Sequence, residues 1–207
     1  MKLYFNENRS TRIKKALYGD VTGKIKTFAI LTAENPGKKQ YTAEENNKRT
    51  ERLKTILKQG GIQYTPIQGF YERKEHSFIC FNLSYTEAER LCKLRLDDPI
   101  EEWQESFFYG KVFKDGAEIS YYRLYGDHYK LIETSSRIDS STEFDEFFSR
   151  FHNFKFSIWM KIFNEDLLEN LLEVYDYEAL ERSLIDGGNG IDRLYYRRKA
   201  YRSEEDE

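Results

Sequence analysis

Thr32, Glu34, Asn35 and Asn46 are the side chains whose types and spacing first suggest chemistry in this chain. They sit where an apolar stretch ending at Leu31 gives way to Thr32-Ala33-Glu34-Asn35-Pro36-Gly37 and then to a helix. Strand-to-helix junctions of this kind are where α/β proteins place pockets. A helix start offers unpaired amides and a partial positive charge, so Thr32, Asn35 and Asn46 converging there would suit an anionic, nucleotide-like small molecule. Lys38 and Lys39 lie in the same loop. The same residues admit a second reading, in which Asn46 bonds back to the Asn35-Pro36-Gly37 turn and pins the loop. Either way Asn46 must find partners, because burying a polar group unsatisfied costs roughly 1–3 kcal/mol.

Two further groups of residues extend the candidates. Glu75, Ser77, Gln104 and Glu105 fall near expected strand starts, and beside the Thr32–Asn35 turn they would complete a polar pocket. Glu75 would then be a base or an amide-binding group, or else simply a solvated turn glutamate. Farther along, Phe144 to Phe163 interleaves aromatic and basic residues, among them Phe147, Arg150, Phe151, Lys155 and Trp159. Such a stretch can stack on single-stranded nucleic acid, form a core with a charged outer face, or present a protein-binding surface.

Established catalytic templates do not fit. His76, His128 and His152 have no metal-ligand spacing, and no Gly-x-Ser-x-Gly, phosphate loop or dinucleotide fingerprint occurs. Gly187-Gly188-Asn189-Gly190 follows an expected helix and reads as a linker. Adjacent carboxylate pairs such as Asp97-Asp98 and Glu101-Glu102 point apart along the chain and read as surface charge. Cys80 and Cys92, set among apolar neighbours, read as buried free thiols. No catalytic residue, metal or cofactor is therefore assigned.

These residues must be positioned by recognisable elements. A short basic helix is expected over Asn8 to Tyr18, closed by Gly19. Lys24 to Thr32 reads as a strand, and its unbroken Phe28-Ala29-Ile30-Leu31 run predicts burial on both faces. Thr42-Ala43-Glu44-Glu45 is a capping box that opens a helix to Gln59, stopped by Gly60-Gly61, with 43, 46, 50, 53 and 57 as its inward stripe. Strands are expected over Ile62–Tyr71 and Ser77–Asn82, and a second capping box at Ser84–Glu87 opens a helix to about residue 96. Trp103–Tyr109 reads as a strand. Val112-Phe113 and Glu118–Leu124 form a hairpin around Asp115-Gly116, followed by a strand at Tyr129–Glu133. Thr142–Phe151 is expected as a helix, Phe154–Ile162 as a strand, and Asn164–Leu184 as one or two helices before a charged tail.

The expected fold is α/β or α+β, a mixed sheet covered by helices, with a β-hairpin extension and C-terminal helices. An α/β core with the hairpin would span 1–137. An aromatic-rich helical segment over 138–207 would pack on it, with a mobile tail from about 193. The 207 residues carry net charge −3, with 39% apolar and 33% charged residues. That balance argues for a folded chain without a global basic footprint, and so against nucleic acid as the main partner. No signal-peptide pattern and no run of about 18 apolar residues is present, so a cytoplasmic setting without membrane contact is expected, in a bacterium or a phage-infected cell.

One ordered series carries a resemblance. Leu31-Thr32-Ala33-Glu34-Asn35-Pro36, Glu45-Asn46 at the helix start, Gly69 followed by Glu75-His76-Ser77, and Gln104 before an apolar strand recur in that order. The series resembles a family of small uncharacterised bacterial and phage proteins, known only as a domain of unknown function. Their pattern is Ile-Thr-Ala-x-Asn-Pro, Glu-x-Asn, Glu-x-Ser, then Gln, and it spans about residues 25–110 here. The resemblance implies no activity and leaves everything beyond 110 uncovered. The expected function is a non-catalytic interaction protein, a phage or mobile-element accessory acting on a host protein as an anti-defence inhibitor or virion component. The alternatives are an enzyme or sensor for an anionic small molecule in the strand-end pocket and, more weakly, a nucleic-acid binder.

Overall fold

The computed structural model describes residues 8–36, 40–71, 73–94, 103–140 and 148–162. The chain divides into two compact units, Met1–Met160 and Lys161–Glu207, and of the second only Lys161 and Ile162 are described. In the first unit the described elements are α1 (Arg9–Tyr18), β1 (Thr27–Thr32), α2 (Ala43–Gln59), β2 (Gln63–Tyr71), β3 (Arg73–Phe81) and α3 (Tyr85–Cys92). They continue as β4 (Ser106–Val112), β5 (Ala117–Tyr125), β6 (His128–Ser135), β7 (Ile138–Asp139), β8 (Phe148–Phe151) and β9 (Phe154–Ile158).

The strands lie in one sheet in the order β6-β5-β4-β1-β3-β2-β8-β9-β7. Its centre, β4-β1-β3-β2, is traced by the chain as β1-α2-β2-β3-α3-β4, the interleaved split βαβ of ferredoxin-like folds. β1 and β2 run parallel, yet β3 lies between them. β3 and β4 run parallel, yet β1 lies between them. Every described pair is consequently antiparallel, which corrects the expected mixed sheet. A helical crossover demands parallel strands but not adjacent ones, and the β2–β3 hairpin fills the gap.

The continuous apolar runs in β1 and β3 are explained by cover on both faces. On one side Leu53 and Leu57 of α2 and Ala88, Leu91 and Cys92 of α3 join Ala29, Leu31, Phe78, Cys80, Phe107 and Tyr109 in one cluster. On the other, α1 buries Ile13, Ala16 and Leu17 and lies against β4 and β5. Each large apolar side chain so buried contributes about 1.5–3 kcal/mol. Phe28 is fully buried and lies flat over Gly110, where a Cβ would come within 2.2 Å of the ring. Glycine in the middle of β4 is what lets that ring into the sheet.

Other boundaries move for local reasons. β1 begins at Thr27 rather than Lys24, because the amides of Lys24 and Ile25 donate to Asp20 and that of Lys26 donates to Asn82. β4 begins at Ser106, three residues after Trp103. The expected helix over Thr142–Phe151 is corrected at its end, where Phe148–Phe151 is strand β8 paired with β2; residues 141–147 lie outside the described set. The helices expected between 164 and 184 and the tail also lie outside it. The β4–β5 hairpin is not an appendage, since both strands belong to the main sheet, and β7, β8 and β9 belong to that sheet as well.

Candidate functional site

Antiparallel pairing brings the end of β1 to the middle of β3, with Thr32 directly across from Ser77. The start of β4, preceded by Gln104, faces the same end, because Ile30 pairs with Phe108 and the two strands run oppositely. The loop after β1 then turns under the N-terminus of α2. Hydrogen bonds tie Thr32 to Glu34 and Asn35 to Asn46 there.

Asn46 is the hub. Its Oδ1 accepts from the Asn35 amide at 3.1 Å, and its Nδ2 donates to Asn35 Oδ1 at 3.1 Å and to the Tyr41 carbonyl at 3.3 Å. Asn35 Oδ1 also accepts from the Tyr41 amide at 3.0 Å. Asn35 adopts φ 46°, a left-handed conformation that asparagine tolerates better than most residues. Thr32 Oγ1 donates to the His76 carbonyl at 2.9 Å and accepts from the Glu34 amide at 3.1 Å. At the helix start, the Thr42 hydroxyl accepts from the Glu45 amide while Glu45 accepts from the Thr42 amide, as the capping box predicts. The geometry is that of a pinned loop.

Two residues central to this cluster were not singled out by the sequence. Arg49 is 1% exposed; its Nε donates to the Ala33 carbonyl at 2.7 Å and its guanidinium lies 4.8 Å from the Tyr41 ring centre. The buried positions of α2 are Asn46, Arg49, Leu53 and Leu57, so the expected stripe through Ala43 and Thr50 is corrected: Ala43 is exposed and Thr50 half-buried. The 46-49-53-57 spacing is visible in the sequence, but a charge at 49 argues against burial until a carbonyl partner is known. His76 is the other. Its Nδ1 lies 2.6 Å from Oε1 of Glu34, whose side chain is only 7% exposed against 52% for the imidazole. Thr50 Oγ1 approaches the same carboxylate oxygen at 3.5 Å.

The remaining predicted residues are dispersed. Ser77 is buried between Thr32 and Ile67 in the sheet. Glu75 is half-buried across from Gly69. Gln104 is buried, its amide donating to the Cys92 carbonyl and its carbonyl accepting from the Tyr129 hydroxyl at 2.6 Å. Cys80 and Cys92 are free and buried, and burial pushes both thiols upward, away from a nucleophilic thiolate. Among the described residues no group of three or more His, Cys, Asp or Glu is placed to hold a metal, and no helix is long and apolar enough to cross a membrane.

A different texture appears across β3, β2, β8 and β9. His76 pairs with Gln68, Gln68 with Arg150, and Arg150 with Lys155, giving one polar row over four strands. Arg150 donates to Gln68 Oε1 at 2.9 Å. Its guanidinium lies 5.3 Å from the Phe70 ring centre, and Lys155 Nζ lies 4.6 Å from that of Phe148. Phe70 and Phe148 stack at 4.4 Å. Nearby, Arg137 lies 5.1 Å from the ring of Trp159. Of the predicted interaction residues, Arg150, Phe151, Lys155 and Trp159 fall in or beside the β8–β9 hairpin, while Phe147 lies outside the described residues.

A family model described as a protein of unknown function, DUF3293, matches residues 31–94. The matched stretch runs from the end of β1 through α3 and contains the Thr32–Asn46 loop, Glu75 and Ser77, but neither Gln104 nor the β8–β9 hairpin. It places that segment with an uncharacterised domain family, the kind of family the ordered residue series resembles. No curated protein matches the chain.

Proposed function

We propose that this is a non-catalytic binding protein that docks an acidic surface of another protein against the β8–β9 hairpin. One observation carries the reading: residues 148–160 contain Arg150 and Lys155 and no Asp or Glu, in a chain with more acids than bases. Arg150 and Lys155 lie side by side on aromatic rings that hold them in place before a partner arrives. A cation already ordered loses less conformational entropy on binding, and Arg and aromatic residues are the side chains that dominate interface energetics. In the setting that the family resemblance suggests, a phage or mobile-element accessory, the partner is a host protein met by an anti-defence inhibitor or a virion component.

The Thr32–Asn46 loop supports the binding role indirectly, by fixing the strand ends beneath the helices. Affinity purification from the native host tests the proposal when wild type and Lys155→Glu are run in parallel. A partner recovered with wild type, released by raised salt and lost with Lys155→Glu is the expected result. Recovery of the same proteins with both forms would reject the hairpin as the docking face.

A further inference from the structure

Beside the hairpin lies an open cavity of about 620 Å³ lined by Arg9, Pro66, Ile67, Gln68, His76, Arg150, Phe151, His152 and Asn153. Its polar lining is two guanidiniums, two imidazoles and two amides, with no carboxylate among the lining residues. We propose that this cavity is a binding site for a small phosphomonoester, a function beyond partner docking, with Arg150, Phe151, His152 and Asn153 of its lining drawn from the same hairpin.

The donor set favours phosphate over carboxylate. A carboxylate has two oxygens and is satisfied by one arginine fork, whereas a phosphate presents three terminal oxygens and accepts from several donors around it. Four basic side chains drawn from α1, β3, β8 and the β8–β9 turn line the cavity, with His76 and Arg150 flanking Gln68 in one cross-strand row. Two of them are held in place. The bond to Gln68 Oε1 orients the Arg150 guanidinium, and the bond from Nδ1 to Glu34 fixes the His76 ring, leaving Nε2 as its remaining nitrogen for a ligand. Glu34, which bonds the imidazole, is itself buried and is not among the residues lining the cavity. His152 occupies the turn with a left-handed φ of 50° and is one of the residues lining the cavity. Ile67 and Phe151, both buried, supply an apolar floor for the organic part of the ligand.

Thermal-shift and calorimetric titrations of the full chain with inorganic phosphate, adenosine monophosphate and phosphoserine test the proposal, with sodium chloride at matched ionic strength as control. Saturable binding of at least one phosphate probe at millimolar concentration is expected, weakened about tenfold or more in Arg9→Gln with His152→Ala, since each lost charge-assisted hydrogen bond is worth roughly that factor. Stronger binding of adenosine monophosphate would assign the apolar floor to a base or sugar. Equal binding of all three probes would assign the site to the phosphate alone. Lys155→Glu separates the two proposals, because it should abolish partner recovery while leaving Arg9, His76 and His152 in place to bind phosphate. No saturable binding of any probe to wild type overturns the proposal. So does unchanged binding in the Arg9→Gln/His152→Ala protein, provided its circular dichroism matches wild type.

Discussion

The loop between β1 and α2 and the hairpin between β8 and β9 are both rich in polar side chains, and they treat them in opposite ways. In the loop, Asn35, Asn46 and Arg49 turn their donors and acceptors onto neighbouring backbone and onto one another. In the hairpin, Arg150 and Lys155 lie half-buried on aromatic rings with their charge still toward water. A polar cluster closed on itself contributes to the fold and has little left for a ligand. A cluster propped up by rings, with no counter-charge in its own strands, keeps its charge for something else. The contrast is the reason we propose the less conspicuous motif as the binding face.

The largest effect that would break this comparison concerns Asn46. Asn46→Ala removes three hydrogen bonds and leaves the Asn35 amide without its acceptor, so it should lower stability by roughly 2–3 kcal/mol. Urea denaturation measures this, and a change below the error of the fit would mean that the loop is not the closed unit described.

A second closed cluster allows a pH test. The Asp20 carboxylate is 2% exposed and accepts from the Thr22 hydroxyl and from the amides of Thr22, Lys24 and Ile25. Burial works against its charge, but the Thr22 hydroxyl and those amides outweigh burial and hold its pKa below the ordinary value. Because the folded value is lowered, Asp20 contributes stability that is complete above the ordinary carboxylate range and lost as pH falls through the folded value. Asp20→Asn should therefore destabilise the protein at neutral pH and flatten the acid limb of its stability profile. An unchanged acid limb would assign acid unfolding to other carboxylates.

Lys155→Glu should have the smallest effect on stability, within about 1 kcal/mol, since the half-buried side chain loses the contact of its ammonium with the Phe148 ring. A loss of several kcal/mol there, read from the same denaturation curves, would turn the hairpin into a second structural cluster and remove the contrast.

Much of the architecture was legible along the chain. The two capping boxes predict where α2 and α3 begin, because a Ser or Thr hydroxyl and a Glu three residues later satisfy amides whatever surrounds them. Asp115-Gly116 predicts the β4–β5 turn on equally local grounds. The strand β8 was read as helix because Phe148-Ser149-Arg150-Phe151 carries no alternation that distinguishes it, and only pairing with β2 and β9 decides its form. Arg49 and His76 escaped notice because what defines their roles, a carbonyl sixteen positions away and a carboxylate forty-two away, is not local.

Taken alone, then, the amino-acid order determined the helix caps, the turns, the doubly buried strands and the polar character of the β1–α2 loop, all of which depend on neighbours within a few positions. Tertiary structure decided strand order, the antiparallel sheet, and which charges meet a partner inside the protein. Those outcomes depend on which distant segments share a face, and the pairing of β2 with β3 and of β8 with β2 and β9 put His76, Gln68, Arg150 and Lys155 in one row.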